Sequence, residues 1–261
     1  MIEIQRFDDV ERIRLASWGS RLAGMDVSAY LVRGILVDTG FPLARRELAR
    51  LLAERSVRGA MLTHYHEDHA GNAALLSEHD VPLVMHPTTL DRLREHAPIR
   101  AYRRIVWGTP RALRSPLRAL TDTASLRFVH TPGHSEDHQI VWDPEQETVF
   151  SGDLWLGVRA RVMHEDEDPF AIVESLRVVR ALNPKRMFDA HRGLVHDPIE
   201  AIDARIGFLE DTIAAVRAKL DAGLDDREIV RELFGGDESV AVISRGEYSR
   251  ANLVRAVGKR R

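Results

Sequence analysis

The sequence predicts an α/β fold that ends in a helical tail, and three observations predict it. Short β-rich runs alternate with segments of helical period up to about residue 196. Beyond Asp197 only helical periodicity remains. The chain has 261 residues, 44% hydrophobic and 30% charged, the balance of an ordinary globular protein large enough to bury a core without staples.

Residues 1–7, 13–18 and 29–37 read as strands, the last broken at Arg33-Gly34 as a hairpin would be. Residues 42–54 set Leu43, Leu48, Leu51 and Leu52 on a helical period, and Pro42 suits a first turn. A short apolar strand at 60–63, a helix at 70–77 and a strand at 83–85 follow. Further strands are expected at 126–131, 139–142, 148–151 and 187–189. Between the last two, residues 169–182 form a helix with Asp168 as N-cap and Pro169 at N1. Asp197-Pro198 repeats that start signal. It opens a helix in which Ile199, Ile202, Ile206, Leu209, Ile213, Val216 and Leu220 recur three and four apart. Such a seam fits packing on its own domain or, alternatively, a homodimer. Helices at 226–234 and 248–257 complete a body of residues 1–196 and an appendage of residues 197–261.

Charge and composition narrow the function classes. With 37 Lys+Arg against 40 Asp+Glu the formal charge is −3, which gives no global argument for nucleic acid or a membrane surface as partner. The chain has no cysteine, which excludes disulfides, a thiolate nucleophile, an iron–sulfur cluster and Cys-ligated zinc. The first residues have neither a basic nor an apolar leader pattern, and no apolar run approaches the ~18 residues that span a bilayer, so a cytoplasmic protein is expected.

One segment dominates the chemistry: Thr63-His64-Tyr65-His66-Glu67-Asp68-His69-Ala70-Gly71-Asn72, on a loop between a short strand and a helix. In extended chain His64 and His66 point the same way, whereas Asp68 and His69 sit at the turn into the helix. Two ligand pairs can therefore face two adjacent metal ions. His134 in Thr131-Pro132-Gly133-His134, Asp153 in Ser151-Gly152-Asp153 and His191 in Asp189-Ala190-His191 each follow a strand, at the end where α/β folds gather their sites. Neutral imidazoles and carboxylates without thiolate suit Zn²⁺, Mn²⁺ or Fe²⁺ about equally.

In these residues the sequence resembles the metallo-β-lactamase superfamily over about residues 28–196. The resemblance implies a four-layer αβ/βα sandwich with a dinuclear metal site between two sheets. It implies that His64, His66 and His134 hold one divalent ion, that Asp68, His69 and His191 hold the other, and that Asp153 bridges them. Asp38-Thr39-Gly40 matches a family element beneath the site. The expected activity is that of a metal-dependent hydrolase acting through a metal-bridging hydroxide. Asp68 would orient the nucleophile and pass a proton to the leaving group. Asp153 speaks against a true β-lactamase. The strings Thr131-Pro132-Gly133-His134-Ser135-Glu136-Asp137-His138 and Phe150-Ser151-Gly152-Asp153-Leu154-Trp155-Leu156-Gly157 look most like the lactamase-β-2-like group, whose tail is a small winged-helix-like appendage. The implied substrate is a small carbonyl ester, thioester or lactone. Alternatives are a single-strand endoribonuclease and a mononuclear iron persulfide dioxygenase. The final ligand usually lies in Gly-His-Gly; Ala190-His191-Arg192 alters the allowed backbone there and adds a charge.

Residues 96–121 contain six arginines and no acid: Arg100, Arg103, Arg104, Arg111, Arg114 and Arg118, with Tyr102 and Trp107 among them. One reading is a lid over the site that selects an anionic substrate, with Arg100, Arg103 and Arg104 as contacts and His164 and Arg192 as further candidates. The other pairs these arginines with acids such as the run Glu165-Asp166-Glu167-Asp168, itself expected to serve as helix N-terminal charge. His138 is within reach of the pocket; His79, His86, His96, His130 and His196 are expected to be structural or superficial.

Overall fold

The computed structural model describes residues 1–95 and 99–260, so His96 and Pro98 of the arginine-rich segment lie outside the described residues. The strands are β1 (Ile2–Phe7), β2 (Val10–Leu15), β3 (Val27–Val32), β4 (Ile35–Val37), β5 (Gly59–Met61), β6 (Leu83–Val84), β7 (Arg127–His130), β8 (Gln139–Asp143), β9 (Thr148–Phe150), β10 (Met163–His164), β11 (Arg186–Asp189), β12 (Gly193–Val195) and β13 (Tyr248–Ser249). The first six form one sheet in sequence order, antiparallel through β4 and parallel from β4 to β6. The second sheet runs β12-β11-β9-β8-β7, with β9 and β11 parallel. β10 leaves that sheet and pairs with β13.

The helices are α1 (Trp18–Ala23), α2 (Arg45–Glu54), α3 (Ala73–Glu78), α4 (Pro87–Glu95), α5 (Ala101–Val106), α6 (Pro169–Ala181), α7 (Pro198–Asp221), α8 (Asp226–Phe234), α9 (Ser239–Ile243) and α10 (Arg250–Lys259). The four layers follow from strand alternation. Val27, Ala29, Leu36, Ala60 and Leu62 face outward from the first sheet onto Leu48 and Leu51 of α2 and Leu75 and Leu76 of α3. Their neighbours Tyr30, Val32, Ile35, Val37 and Met61 face inward, against Val141, Phe150 and Phe188 of the second sheet. Ile140, Val149 and Met187 then face outward onto Leu176 of α6, Leu209 of α7, Ile229 of α8 and Leu253 of α10. The expected sandwich is therefore present, and helices α7, α8 and α10 share their core with the second sheet.

Several local expectations change. β2 begins at Val10 because Asp8, at φ 51°, turns the chain back within two residues of Phe7. Helix α1 was not legible: six residues show no period, and it is set by a capping box between Ser17 and Ser20. Asp168 caps α6 as expected, accepting from Phe170 N and Ala171 N. Asp197 does not cap α7; it sits at φ 48° with no side-chain cap, and Pro198 at N1 starts that helix. Of the α7 seam, Ile202, Leu209, Ile213 and Val216 are buried within the chain. The arginine-rich segment divides in two. Its first half, α5, packs on α1, and Trp107 is buried against Phe41. Its second half runs along the first sheet, where Ala119 bridges Leu83 and Arg118 O accepts from Leu83 N. No helix among the described residues is long and apolar enough to cross a membrane.

Candidate metal centre

The histidine-rich loop follows β5 and is held by the loop after β4. Asp38 accepts from Thr63 N at 2.8 Å and from Thr63 Oγ1, while Thr39 accepts through Oγ1 from Asn72 N at 3.1 Å. Asn72 donates its side-chain amide to the carbonyls of Thr39 and Phe41. Gly71 is required by space: a Cβ there would stand 2.0 Å from the carbonyl oxygen of Glu67. Gly152, at φ 50°, lets the chain turn over His138 so that Asp153 enters the same cleft. The backbone at Ala190 and Arg192 stays out of the left-handed region, so the missing glycines cost nothing there. His191 is fixed by Asp189, which accepts from His191 N at 2.8 Å and Arg192 N at 2.6 Å.

All seven expected ligand positions converge at one end of the sandwich. They fall into two groups whose ligand atoms lie within 4.8 Å of one another: His64, His66, His134 and Asp153, and Asp68, His69, Asp153 and His191. Asp153 belongs to both. Its Oδ1 stands 3.1 Å from His69 Nε2 and 3.2 Å from His191 Nε2, and its Oδ2 stands 3.5 Å from His134 Nε2.

Outer hydrogen bonds orient each ring. Nδ1–H of His69 donates to Asp38 at 2.9 Å, that of His134 to Glu167 at 2.5 Å, and that of His191 to the Asp26 carbonyl at 3.0 Å. Thr63 Oγ1, its own proton given to Asp38, accepts from His64 Nδ1 at 3.0 Å. Four rings thus turn an Nε2 lone pair into the cleft, the arrangement that outer partners impose on metal-ligating histidines. His64 Nε2 and His134 Nε2 each lie 3.0 Å from His66 Nδ1. His69 Nε2 and Asp153 Oδ1 are buried without a hydrogen-bond partner. Lone pairs packed this closely need a shared cation, so the residues fit divalent metal.

The electrostatics agree. Burial lowers the pKa of His64 and His66, which keeps these imidazoles neutral and able to ligate. Burial opposes a charge on His191 too, yet Asp153 and Asp68 push its pKa up to about 9. His69 is raised against burial in the same way by Asp153, Asp68 and Asp38. Asp153 is held well below the carboxylate range: burial disfavours its charge, but His69 and His191 outweigh it. The carboxylates draw positive charge into the cleft, which a metal ion supplies.

The expected substrate contacts separate. Arg103 is buried, and its guanidinium is engaged by Glu67 and Glu247. Arg100 pairs with Glu247 at 2.8 Å and Glu165 at 3.2 Å, and Arg111 with Glu78. Arg104 and Arg192 are exposed and have no carboxylate partner among the described residues. His164 is buried, its ring 6.1 Å from that of His66 and its Nε2 3.2 Å from Glu247. The acidic run has mixed roles: Glu165 pairs with Arg100, Asp168 caps α6, and Glu167 is buried on His134. His138 lies beneath the cleft, accepting from Asp153 N at 3.1 Å, and burial lowers its pKa to about 3. The roles of Glu67 and Glu167, which lie within segments already singled out, and of Glu247, which does not, carry no signal in sequence because they depend on contacts distant along the chain.

A profile of the Metallo-beta-lactamase superfamily matches residues 22–214. The beta-lactamase-like protein 2 homolog of Drosophila melanogaster is 30% identical over 216 residues, covering 72% of this chain and 69% of that one. An atrochrysone carboxyl ACP thioesterase of Aspergillus fumigatus is 29% identical over 167 residues, covering 62% of this chain and 36% of the relative. The fold superposes on a metallo-beta-lactamase family protein from Thermus thermophilus with a TM-score of 0.69 at 20% identity, covering 96% of this chain and 92% of that one. With that profile matched over residues 22–214 and two candidate ligand groups in its cleft, the chain belongs to the metallo-beta-lactamase superfamily.

Proposed function

We propose that this hydrolase cleaves a thioester, or a related carbonyl ester, of a small anionic molecule at a dinuclear centre. His64, His66 and His134 would hold one divalent ion, Asp68, His69 and His191 the other, with Asp153 between them. The observation that carries the reading is that the two oxygens of Asp153 face different ligand groups. Two adjacent divalent ions, when bound, supply the Lewis acidity that activates water near neutral pH and polarises a carbonyl oxygen.

The chain's own residues do the rest. Asp153 sets the spacing of the two groups. Asp68 is buried with its Oδ2 3.6 Å from His69 Nε2 and 3.8 Å from His191 Nε2. From there its carboxylate takes the proton of the attacking water and delivers it to the departing thiol or alcohol. Zinc suits the imidazole-rich set, as manganese and iron do. Thioester cleavage is supported by the names of thioesterases among the relatives. Against the RNA-cleaving alternative, Arg100, Arg103 and Arg111 are already held by carboxylates.

Access is supported by an open pocket of about 350 Å³ beside His191, lined also by Arg14, Arg21, Gly24 and Asp26. Metal analysis of the purified protein, alongside acyl thioesters, lactones, RNA and a persulfide, tests the proposal. Two metal ions per chain with thioester turnover are expected. One iron per chain with oxygen uptake on the persulfide, or cleavage of RNA alone, would overturn it.

A further inference from the structure

A buried carboxylate of the C-terminal appendage, Glu247, is linked to the histidine-rich loop through the guanidinium of Arg103. Glu67 sits between His66 and Asp68, and both its oxygens are taken by the guanidinium fork of Arg103 in α5. The third nitrogen of that fork, Nη1, donates to Glu247 Oε1 at 2.9 Å. Glu67, Arg103 and Glu247 are 5%, 8% and 5% exposed, so this is a charge chain withdrawn from water. Glu247 also stands 3.2 Å from His164 Nε2. The backbone N of His164 donates to Glu167 Oε2 at 3.0 Å, and Glu167 holds His134 through its other oxygen. One continuous set of buried polar groups thus runs from His134, through the appendage, to the loop that bears His66 and Asp68.

Glu247 is itself held firmly. The pairing of β10 with β13 sets Met163 against Ser249 and His164 against Tyr248. Asn252 donates its amide to the carbonyls of Met163, Gly246 and Glu247 at 2.9–3.0 Å. A buried ion pair is weak evidence for stability, since desolvation offsets most of its attraction. Its strength is geometric: a planar fork bound on both sides fixes direction as well as distance.

We propose that Glu247 is a positioning residue for the metal centre, which holds Arg103 and through it fixes Glu67 and the chain from His66 to Asp68. The inference rests on reading the histidine–aspartate cluster as a metal site. Its test is zinc affinity, measured by chelator competition on the full chain, with the absorption spectrum of the cobalt-loaded protein as a second readout. Glu247→Gln should weaken zinc binding about 10-fold, the lower end of the effect of losing a direct partner of a ligand, since it acts through Arg103 and Glu67, and should shift the cobalt bands. Arg103→Lys keeps the charge but cannot hold both carboxylates, and should do the same. The double variant should be little worse than either single one, because the two act through one link. Lys219→Gln, in the exposed pair with Glu232, should change neither readout. If Glu247→Gln does not fold, Glu247→Asp, charged but one methylene shorter, should give a smaller loss in the same direction. Wild-type affinity and spectrum in these variants, even with a lowered Tm, would overturn the inference and leave the metal reading intact. A wild-type chain that binds no divalent metal would overturn both.

Discussion

Asp38 Oδ2 lies 2.9 Å from His69 Nδ1, while Oδ1 of the same carboxylate accepts the backbone N–H of Thr63 at 2.8 Å. One side chain from the loop after β4 therefore fixes both ends of the histidine-rich loop. Asp38→Asn keeps the shape but cannot accept at every position, so the tautomer of His69 is no longer enforced. Metal affinity should fall about 10–100-fold with little change in secondary structure. Asp38→Ala should in addition lower stability by about 3–5 kcal/mol, because it strands buried donors. Chelator competition and urea unfolding read the two effects separately, and unchanged affinity in Asp38→Asn would refute the orienting role.

Gly71 should tolerate no side chain. An added Cβ meets the Glu67 carbonyl at 2.0 Å, Pro42 Cδ at 2.6 Å and the Gly40 carbonyl at 3.0 Å, and two of these three are backbone. Gly71→Ala should cost about 1–3 kcal/mol or more, the range for overpacking a rigid site. The urea midpoint checks it; an unaltered midpoint would mean that the loop shifts freely.

Asp153→Ala should change metal stoichiometry rather than affinity alone. The residue is the only ligand candidate common to both groups among the described residues. Its loss removes the carboxylate proposed to lie between the ions and leaves Nε2 of His69 and of His191 without the nearest carboxylate oxygen, at 3.1 and 3.2 Å. Metal analysis should find one ion or none per chain, with hydrolysis lost in parallel. Retention of two ions at full occupancy would show that Asp153 does not bridge.

The convergence of the candidate ligands was legible in sequence because they lie on loops that follow strands, so local spacing encodes global position. His64 to His69 share one loop, and Asp153 and His191 follow the parallel strands β9 and β11. The four layers were expected from the resemblance alone; in the structure, period-two alternation sends Tyr30 and Ala29 to opposite faces. What stayed hidden depends on tertiary contact. Nothing near Glu247 signals that it will meet Arg103, and Glu167 resembles any acid before a helix until it is found on His134. The arginines of residues 96–121 show why charge density alone misleads: a local excess of one sign is often balanced by acids remote in sequence, here Glu67, Glu78, Glu165 and Glu247.

The Glu247 link also has a pH signature. Burial raises its pKa, but hydrogen bonds from His164 and Arg103 outweigh burial and hold it down at about 2, below the ordinary 4.5. A depressed folded-state pKa stabilises the protein above the unfolded value, and the gain is lost as pH falls through the folded one. In chelator, the stability gap between wild type and Glu247→Gln should be constant from about pH 8 to 5 and should narrow from pH 4.5 towards 2. Urea unfolding across that range checks the sign. A gap that widens in acid would mean that Glu247 is protonated in the folded protein.

Charge reading by the pocket beside His191 should fall to Arg21. Arg14 lines the same pocket, but Asp26 at 2.7 Å and Glu3 at 3.2 Å neutralise it. Arg21 has no carboxylate partner among the described residues; its guanidinium meets the thioether sulfur of Met1. It is exposed, so a substrate carboxylate or phosphate engaging it competes with water and gains about 1 kcal/mol, roughly five-fold in binding. Arg21→Gln should therefore raise KM about five-fold for an anionic thioester. It should spare kcat, and a neutral ester of similar size should be unaffected. Arg103→Gln should behave in the opposite way, lowering stability because it strands two buried carboxylates. Steady-state kinetics on the matched substrates decide the point. Equal effects of Arg21→Gln on both would show that the pocket selects by shape, and no effect on either would move anion recognition to Arg104 or Arg192.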